Sequence, residues 1–225
     1  MVRAPAAVAP AAVPPASATA RRLALVSAAI GWGALLVQLA LSLRLGLANG
    51  KSLPAAVVTY FSYFTILTNI LAALCLTLPI AIPASAAGRF FARSVIASGV
   101  AMSMAMVGIT YSLLLRHTWN PQGIQRLVDS ALHDVMPLLF LAWWWIGVKA
   151  DRLPWSAPVA WSAYPAAYFG YALARGAAIG EYPYPFIDAG ALGHGRVFVN
   201  GLAMLAGFLG VGLLLVALGR WKRNP

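Results

Sequence analysis

Three ionisable residues stand close together in an otherwise apolar run of the sequence, residues 127–148. They are Asp129, His133 and Asp134, and the first two are four positions apart. On a helix this spacing places a carboxylate and an imidazole one turn apart on the same face. Because an ionisable group facing hydrocarbon costs about 2.5–3.5 kcal/mol, such residues usually face a protein interior or a water-filled cavity. We therefore predict that this segment carries the functional site.

A proline in the same segment strengthens this prediction. Pro137 has no N–H, so the carbonyl of His133, four residues earlier, loses its helical partner and we expect the helix to kink. The segment then offers a titratable imidazole, a carboxylate that orients it and a free carbonyl. An imidazole oriented in this way is able to take the proton from a hydroxyl nucleophile.

Hydroxyl and amide side chains form a stripe in a second apolar run, residues 54–82. The members are Ser62, Thr65, Thr68 and Asn69, whose spacings of 3, 3 and 1 place them on one face of a helix. In membrane helices such side chains commonly hydrogen-bond to a neighbouring helix, which is the structural interpretation of the stripe. Thr65 also has a catalytic interpretation, because a hydroxyl becomes a good nucleophile when an adjacent base removes its proton.

The two segments can be compared by the depth in a membrane at which Thr65 and His133 would lie. Thr65 lies eleven residues after Pro54, and His133 lies twelve residues after Pro121, which corresponds to about 16 and 18 Å at 1.5 Å per residue. If both segments enter the membrane from the same face, these side chains reach matching depths. We therefore predict a catalytic set in which Thr65 is the nucleophile, His133 is the general base and Asp129 orients the imidazole.

Four further residues are candidates for substrate binding. Asn69 lies one turn from Thr65 and is expected to donate to a developing oxyanion. Thr68 belongs to the same stripe, and Asp134 belongs to the ionisable segment. Arg175 ends the fifth apolar run, where it would meet a carboxylate or reach the lipid headgroups. The sequence has no His or Cys spacing typical of a metal site, so we expect no metal and no cofactor.

The composition predicts a membrane protein. The chain is 61% hydrophobic and 9% charged, whereas soluble domains carry about 25% charged residues. Runs of about 20 apolar residues can cross a bilayer. The sequence has six such runs: 23–46, 54–82, 93–115, 127–148, 155–178 and 196–219. We predict an all-α, polytopic bundle of six transmembrane helices within residues 21–225, preceded by a disordered Ala/Pro-rich tail over residues 1–20.

The net charge of +11 arises from basic residues that stand at the ends of the apolar runs. This distribution is typical of contact with anionic headgroups, so we expect membrane lipids and no nucleic acid as partners. With six spans both termini share a side, which then carries ten basic residues against six on the other side. The excess predicts a multi-pass protein of the plasma membrane, with both termini in the cytoplasm and a polar pocket that opens to the opposite side.

The connection after the fifth apolar run has an unusual composition. In EYPYPFID, residues 181–188, two prolines alternate with aromatic residues, so we expect no regular helix there. Two placements of the aromatic rings are open. They lie at the level of the lipid headgroups, or they fold back as a lid.

A resemblance to a known family is carried by four segments: YFTILTNIL, WNPQG, LHDVMPLLFLAWW and GEYPYPFIDAGALGHGRV. They look like those of a bacterial six-span membrane protein family, the Pr-six-Pr family, in the same order across residues 22–220. That family is similar in turn to the eukaryotic androgen-induced-gene membrane proteins, which hydrolyse esters of hydroxy fatty acids with a threonine and a histidine inside the bilayer. The resemblance implies a bacterial inner-membrane protein in which Thr65 and His133 are that pair, and it marks residues 184–186 as a shared element.

The favoured function is therefore an intramembrane hydrolase of lipid-like, fatty-acid esters, whose substrate reaches the site from the bilayer. The alternative is a small transporter or proton-linked carrier that uses Asp129, His133, Asp134 and Arg175 as its polar pathway. Broken helices fit a transporter, whereas the lack of an internal repeat does not. A purely structural or assembly subunit would leave the ionisable residues without a role.

Overall fold

The structure of the protein is a computed structural model that describes residues 17–150 and 152–222. Every regular element within these residues is helical, which confirms the predicted all-α class. The α-helices are α1 (Ala18–Ala48), α2 (Leu53–Phe61), α3 (Phe64–Ala81), α4 (Ala86–Phe91), α5 (Ser94–Thr110), α6 (Gly123–Ser130), α7 (Met136–Gly147), α8 (Ala157–Trp161), α9 (Ala163–Ile179), α10 (Ala189–Leu192) and α11 (His194–Trp221). Two π-helical turns, Tyr111–Leu115 and Ala131–Val135, and a 3₁₀ turn, Pro185–Ile187, complete the described elements.

Four of the described helices are long and apolar enough to cross a bilayer: α1, α3, α5 with its π turn, and α11. The predicted run 127–148 is built from shorter pieces, namely α6, a π turn and α7, and the run 155–178 is divided between α8 and α9. The predicted run 54–82 is divided as well, because Tyr63 is extended and separates α2 from α3. These interruptions leave several backbone groups near the middle of the chain free to contact other elements.

The first helix begins earlier than the predicted tail boundary at residue 20. Helix α1 starts at Ala18, and the Ser17 hydroxyl accepts a hydrogen bond of 3.2 Å from the N–H of Ala20. Serine is a favoured N-cap residue because its side chain satisfies an N–H that has no helical partner. Residues 1–16, which include most of the predicted tail, lie outside the described residues.

Two π turns interrupt the helices that carry the candidate residues, and one of them precedes Pro137. One of them, Ala131–Val135, joins α6 to α7 directly, and Pro137 then stands in the first turn of α7, where a missing N–H is tolerated. The other, Tyr111–Leu115, continues α5. π turns inside α-helices are frequent at functional sites, and here they carry His133 and Tyr111.

The described chain begins and ends at the same end of the molecule. Gly147, at the end of α7, packs closely against Ala20 of α1, and Gly219 of α11 packs closely against Ala150. We call this the terminal end. At the opposite end, an ion pair of 2.5 Å between Lys51 and Glu181 joins the connection before α2 to the connection after α9. We call this the cavity end, because it holds the candidate site.

Candidate functional site

Thr65 lies in the first turn of α3 and is 7% exposed. The break between α2 and α3 leaves its backbone N–H without a helical partner, as is general for the first turn of a helix. The Tyr184 hydroxyl lies 3.3 Å from this N–H and 3.5 Å from the Thr65 hydroxyl. The hydroxyl and the N–H of Thr65 thus meet a single side chain, which lies 119 residues later in the sequence.

Two cavities meet at Thr65 and Tyr184, which line both of them. The apolar cavity has a volume of about 250 Å³ and lies between α5, α9 and α11. The polar cavity has a volume of about 330 Å³ and lies between α1, α2 and the two π turns. Its lining includes eight side chains with ionisable or amide groups: Gln38, Tyr60, Tyr63, Tyr111, Gln125, Asp129, His133 and Tyr184. The Thr65 hydroxyl therefore stands at the junction of an apolar and a polar space.

His133 contacts Asp129 within this polar cavity. Its Nδ1 atom lies 3.1 Å from an Asp129 carboxylate oxygen and 3.0 Å from the Asp129 carbonyl oxygen. Both partners are acceptors, so Nδ1 carries a proton and Nε2 is left as an acceptor in the neutral imidazole. The two side chains are in contact, as their four-residue spacing predicts. Asp129 is only 4% exposed, so its carboxylate depends on protein partners.

Tyr111 supplies the second partner of that carboxylate. Its hydroxyl donates to the other oxygen of Asp129, and its ring stacks on the His133 imidazole with 4.1 Å between the ring centroids. Tyr111 begins the π turn that follows α5 and is itself buried. The carboxylate thus has Tyr111 as a hydrogen-bond donor and His133 as an ion-pair partner, and the imidazole is held between a carboxylate and an aromatic ring.

Asp134 lies outside this cluster although it directly follows His133. Its carboxylate forms an ion pair of 2.5 Å with Arg116, and 31% of its side chain is exposed. The Arg116 guanidinium also lies 4.8 Å from the centroid of the Tyr111 ring. Asp134 lines neither cavity. The substrate-binding role of Asp134 stays a prediction, and in the structure its carboxylate holds Arg116 beside Tyr111.

Asn69 is completely buried and links α3 to the π turn that carries His133. Its side-chain N–H groups donate to the carbonyl of Thr65, at 2.9 Å, and to the carbonyl of Leu132, at 3.2 Å. Both protons are therefore used by the backbone, and Asn69 lines neither cavity. That Asn69 donates to an oxyanion stays a prediction, which these contacts do not support. Its contacts instead hold the backbone of Thr65 close to the residue that precedes His133.

Thr68 and Arg175, the other two predicted binding residues, also have structural partners. The Thr68 hydroxyl lies 3.0 Å from the Tyr164 hydroxyl, so it holds α9 against α3. Arg175 donates to the carbonyl of Glu181 at 2.8 Å and lies 3.7 Å from its carboxylate, so it holds the connection after α9. Neither residue lines the apolar or the polar cavity. Their contact with substrate stays a prediction.

The connection after α9 folds back into the molecule, which is one of the two placements expected for its aromatic rings. Tyr184 is extended, as the residue before a proline usually is. Its ring stacks on that of Phe186 with 5.3 Å between the centroids, and Asn200 of α11 donates to the Phe186 carbonyl at 2.8 Å. These contacts hold the Tyr184 hydroxyl at Thr65.

Within the described residues no hydrogen bond joins Thr65 to His133. Each has its own partner, Tyr184 for Thr65 and Asp129 for His133. Both residues nevertheless line the polar cavity, so a molecule bound there contacts both. Catalytic hydrogen bonds are often long before the substrate binds. The structure thus brings the predicted nucleophile, base and orienting carboxylate to one cavity and leaves the first two separated by part of it.

The sequence predictions missed two tyrosine hydroxyls. Tyr111 stands in an apolar run, where it resembles an ordinary core aromatic residue, and Tyr184 was marked only as part of a shared element. A signal was present, because a buried carboxylate such as Asp129 needs donors, and a buried tyrosine usually has a hydrogen-bond partner for its hydroxyl. The pairing of Tyr111 with Asp129 across 18 residues depends on the packing of two helices.

Within the described residues no group of three or more His, Cys, Asp or Glu side chains is placed to hold a metal ion. Comparison of the chain with protein-family models, with curated proteins and with solved structures finds no match. The family resemblance therefore stays a prediction. Function has to be argued from the site, since a fold by itself does not identify an activity.

Proposed function

We propose that the protein is an integral membrane hydrolase that cleaves an ester of a lipid-like molecule, with Thr65 as nucleophile and His133 as general base. One observation carries the proposal: Thr65 lies where the apolar and the polar cavity meet, and His133 with Asp129 lines the polar one. An ester of a fatty acid has the same division, because its acyl chain is apolar and its carbonyl group is polar.

The proposed reaction has two steps. In the first, the Thr65 oxygen attacks the ester carbonyl carbon while its proton passes to His133 Nε2, and the bond to the alcohol oxygen breaks as that oxygen takes the proton from His133. In the second, His133 deprotonates a water molecule that attacks the acyl group on Thr65, and the released Thr65 oxygen recovers the proton. Asp129 keeps Nδ1 protonated, so that Nε2 is the atom that accepts and returns the proton.

Two donors are placed to stabilise the negative oxygen that develops on the carbonyl. The free N–H of Thr65 is one, and the Tyr184 hydroxyl, 3.3 Å from it, is the other. Burial raises the pKa of Tyr184, so its hydroxyl stays protonated and able to donate. In this proposal the substrate carbonyl enters between the two groups and takes over both hydrogen bonds. In the proposed mechanism these two donors take the role that the sequence suggested for Asn69, whose side-chain N–H groups donate to the backbone.

The proposal includes six membrane spans, with both termini in the cytoplasm. The pieces α6–α7 and α8–α9 would each cross the bilayer as one composite span, because each runs between the cavity end and the terminal end. Contacts of Gly147 with Ala20 support this arrangement at the terminal end, and the ion pair of Lys51 with Glu181 supports it at the cavity end. Reporter fusions test it: residues 85–90 should lie in the cytoplasm and residues 118–124 outside.

The central experiment compares two threonines of the same helix. Purified protein in lipid vesicles is treated with a fluorophosphonate probe, and its hydrolysis of a fatty-acid ester is measured. Thr65→Ala should lower hydrolysis by roughly 10⁴-fold and abolish labelling, because the attacking oxygen is lost. Thr68→Ala removes the same hydroxyl one turn away, where it meets only Tyr164, so activity should stay within about threefold while stability falls by about 1 kcal/mol.

His133 provides an independent check of the mechanism. His133→Ala should cost about as much activity as Thr65→Ala, and the double variant should cost no more than either, because residues that act as one unit are strongly non-additive. Unchanged hydrolysis in folded Thr65→Ala protein would exclude the covalent mechanism.

A proton-linked carrier is the second candidate, favoured by the buried pair of Asp129 and His133 beside a polar cavity. For a carrier, substitution of either residue should stop transport, whereas Thr65→Ala should have little effect. If the wild-type protein is not labelled by the fluorophosphonate probe and does not hydrolyse a fatty-acid ester, the carrier is favoured.

A further inference from the structure

The apolar cavity opens to the side of the molecule, between α9 and α11. Several residues line the cavity and are at the same time exposed on the outer surface. On α11, Phe198 is 64% exposed and Leu202 is 51% exposed. On α9, Ala166 is exposed and lines the same cavity. Exposed lining residues from both helices place the mouth of the cavity between α9 and α11.

A contact between an aromatic ring and a glycine narrows this opening. The Phe169 ring of α9 rests directly on Gly201 of α11, so that a Cβ added to Gly201 would lie 2.8 Å from the end of that ring. Both residues line the cavity. On its other side, α9 is held to the preceding helices by tyrosine hydroxyls, since Tyr164 meets Thr68 and Tyr168 donates to the Ser62 carbonyl at 2.9 Å. At the opening between α9 and α11, the ring of Phe169 packs on a residue without a side chain.

The lining of the cavity selects the chemistry of its occupant. All of the described lining residues lack a charged side chain, and their polar atoms come from Thr65, Thr110, Tyr168 and Tyr184. An ion would lose its hydration there without compensation, whereas an apolar chain gains from burial. Helix α11, which forms one edge of the opening, is one of the helices long and apolar enough to cross a bilayer. The opening therefore faces the region that lipid chains occupy.

We propose that the gap between α9 and α11 is a lateral portal through which one acyl chain enters the apolar cavity directly from the bilayer. The chain then lies with its carbonyl end at Thr65 and its remainder along Phe169 and Gly201, which both line the cavity. The identity of the bond that is cleaved rests on the proposed function, but the binding of the chain does not.

The test uses the full-length Thr65→Ala protein in phosphatidylcholine vesicles, so that binding is measured without turnover. A fatty acid that carries a photoreactive diazirine near the end of its chain is added, the sample is irradiated, and the labelled peptides are identified by mass spectrometry. Labelling should map to the α9 and α11 residues around the opening and should be displaced by an excess of unlabelled fatty acid.

Two pairs of variants separate the portal from general contact with lipid. Gly201→Leu and Ala166→Leu place a side chain in the opening, and each should lower the displaceable labelling by roughly tenfold, the effect of excluding about two methylene groups. Gly210→Leu adds the same side chain to α11 where nothing lies within 4 Å, and Ala167→Leu does so at an exposed position of α9 outside the cavity. Both controls should label as the parent does. Because Ala166 is exposed, its variant guards against a folding defect at Gly201.

Equal labelling of all four variants would overturn the portal, as would labelling that maps elsewhere or is not displaced. The experiments also distinguish a failure of the portal proposal from a failure of the hydrolase proposal. Displaceable labelling at α9 and α11, together with an inactive wild type, would retain the portal and reject the hydrolase. Hydrolysis by the wild type without such labelling would reject the portal alone.

Discussion

The cavity end and the terminal end of the molecule hold their charged groups in different ways. At the terminal end the partners are backbone carbonyls and aromatic rings. Arg220 donates to the carbonyl of Leu153 at 2.8 Å and lies 5.2 Å from the centroid of the Trp155 ring. Lys222 lies 4.9 Å from the ring centroid of Trp144. None of these partners exchanges a proton near neutral pH, so the contacts contribute to the closure of the fold.

At the cavity end the partners of the ionisable groups are themselves titratable or hydroxyl side chains. Asp129 meets His133 and the Tyr111 hydroxyl, and Thr65 meets the Tyr184 hydroxyl. All of these side chains line the polar cavity. A side chain at this end is therefore able to exchange a proton with a bound molecule, and the proposed function places its chemistry here. Substitutions at the cavity end should accordingly lower hydrolysis, whereas substitutions at the terminal end should lower stability.

Two aspartates of one helical segment give the sharpest test at the cavity end. Asp129→Asn keeps the shape of the side chain but removes the charge that holds His133, so hydrolysis should fall by about 10²-fold. Asp134→Asn makes the same change in an ion pair that is partly exposed, and activity should stay within about twofold. Ester hydrolysis by both variants, at matched folded protein, measures the difference. Equal losses would show that Asp129 has no special relation to the imidazole.

Tyr184→Phe tests the second donor for the oxyanion. The ring and its stacking on Phe186 are retained, while the hydroxyl at Thr65 is lost. We expect kcat to fall by roughly tenfold and KM to change little, because the N–H of Thr65 remains as a donor and the interaction strengthens only in the transition state. Steady-state kinetics with a fatty-acid ester decide the point. A change in KM alone would assign Tyr184 to substrate binding.

At the terminal end we expect a loss of stability without a loss of activity. Arg220→Met removes the hydrogen bonds to Leu153 and the contact with Trp155, which together contribute about 1–2 kcal/mol. The Tm should fall by roughly 2–6 °C, while hydrolysis by the folded protein stays unchanged. Arg152→Met is the control, because Arg152 makes no side-chain hydrogen bond within the described residues. Lower activity at full stability in Arg220→Met would contradict the division between the two ends.

Local sequence was sufficient to predict the class of the fold and one contact of the site. Long apolar runs predict helices, and the helical class depends on interactions between residues three or four apart. The contact of Asp129 with His133 is of this kind, and it is retained although His133 lies in a π turn. The interruption of the runs was harder to predict, because the break at Tyr63 follows from how α2 and α3 pack and not from a proline or glycine at that position.

Thr65 and Thr68 show what only the tertiary structure decided. In the sequence they are two hydroxyls of one polar stripe, three residues apart on the same helix. In the fold, Thr68 is closed off by Tyr164, whereas Thr65 meets Tyr184 at the junction of two cavities. The tyrosines come from segments about 100 residues later, 96 for Tyr164 and 119 for Tyr184. Local propensity does not depend on such distant partners, so the packing of α9 and of its following connection determined which threonine lines the two cavities.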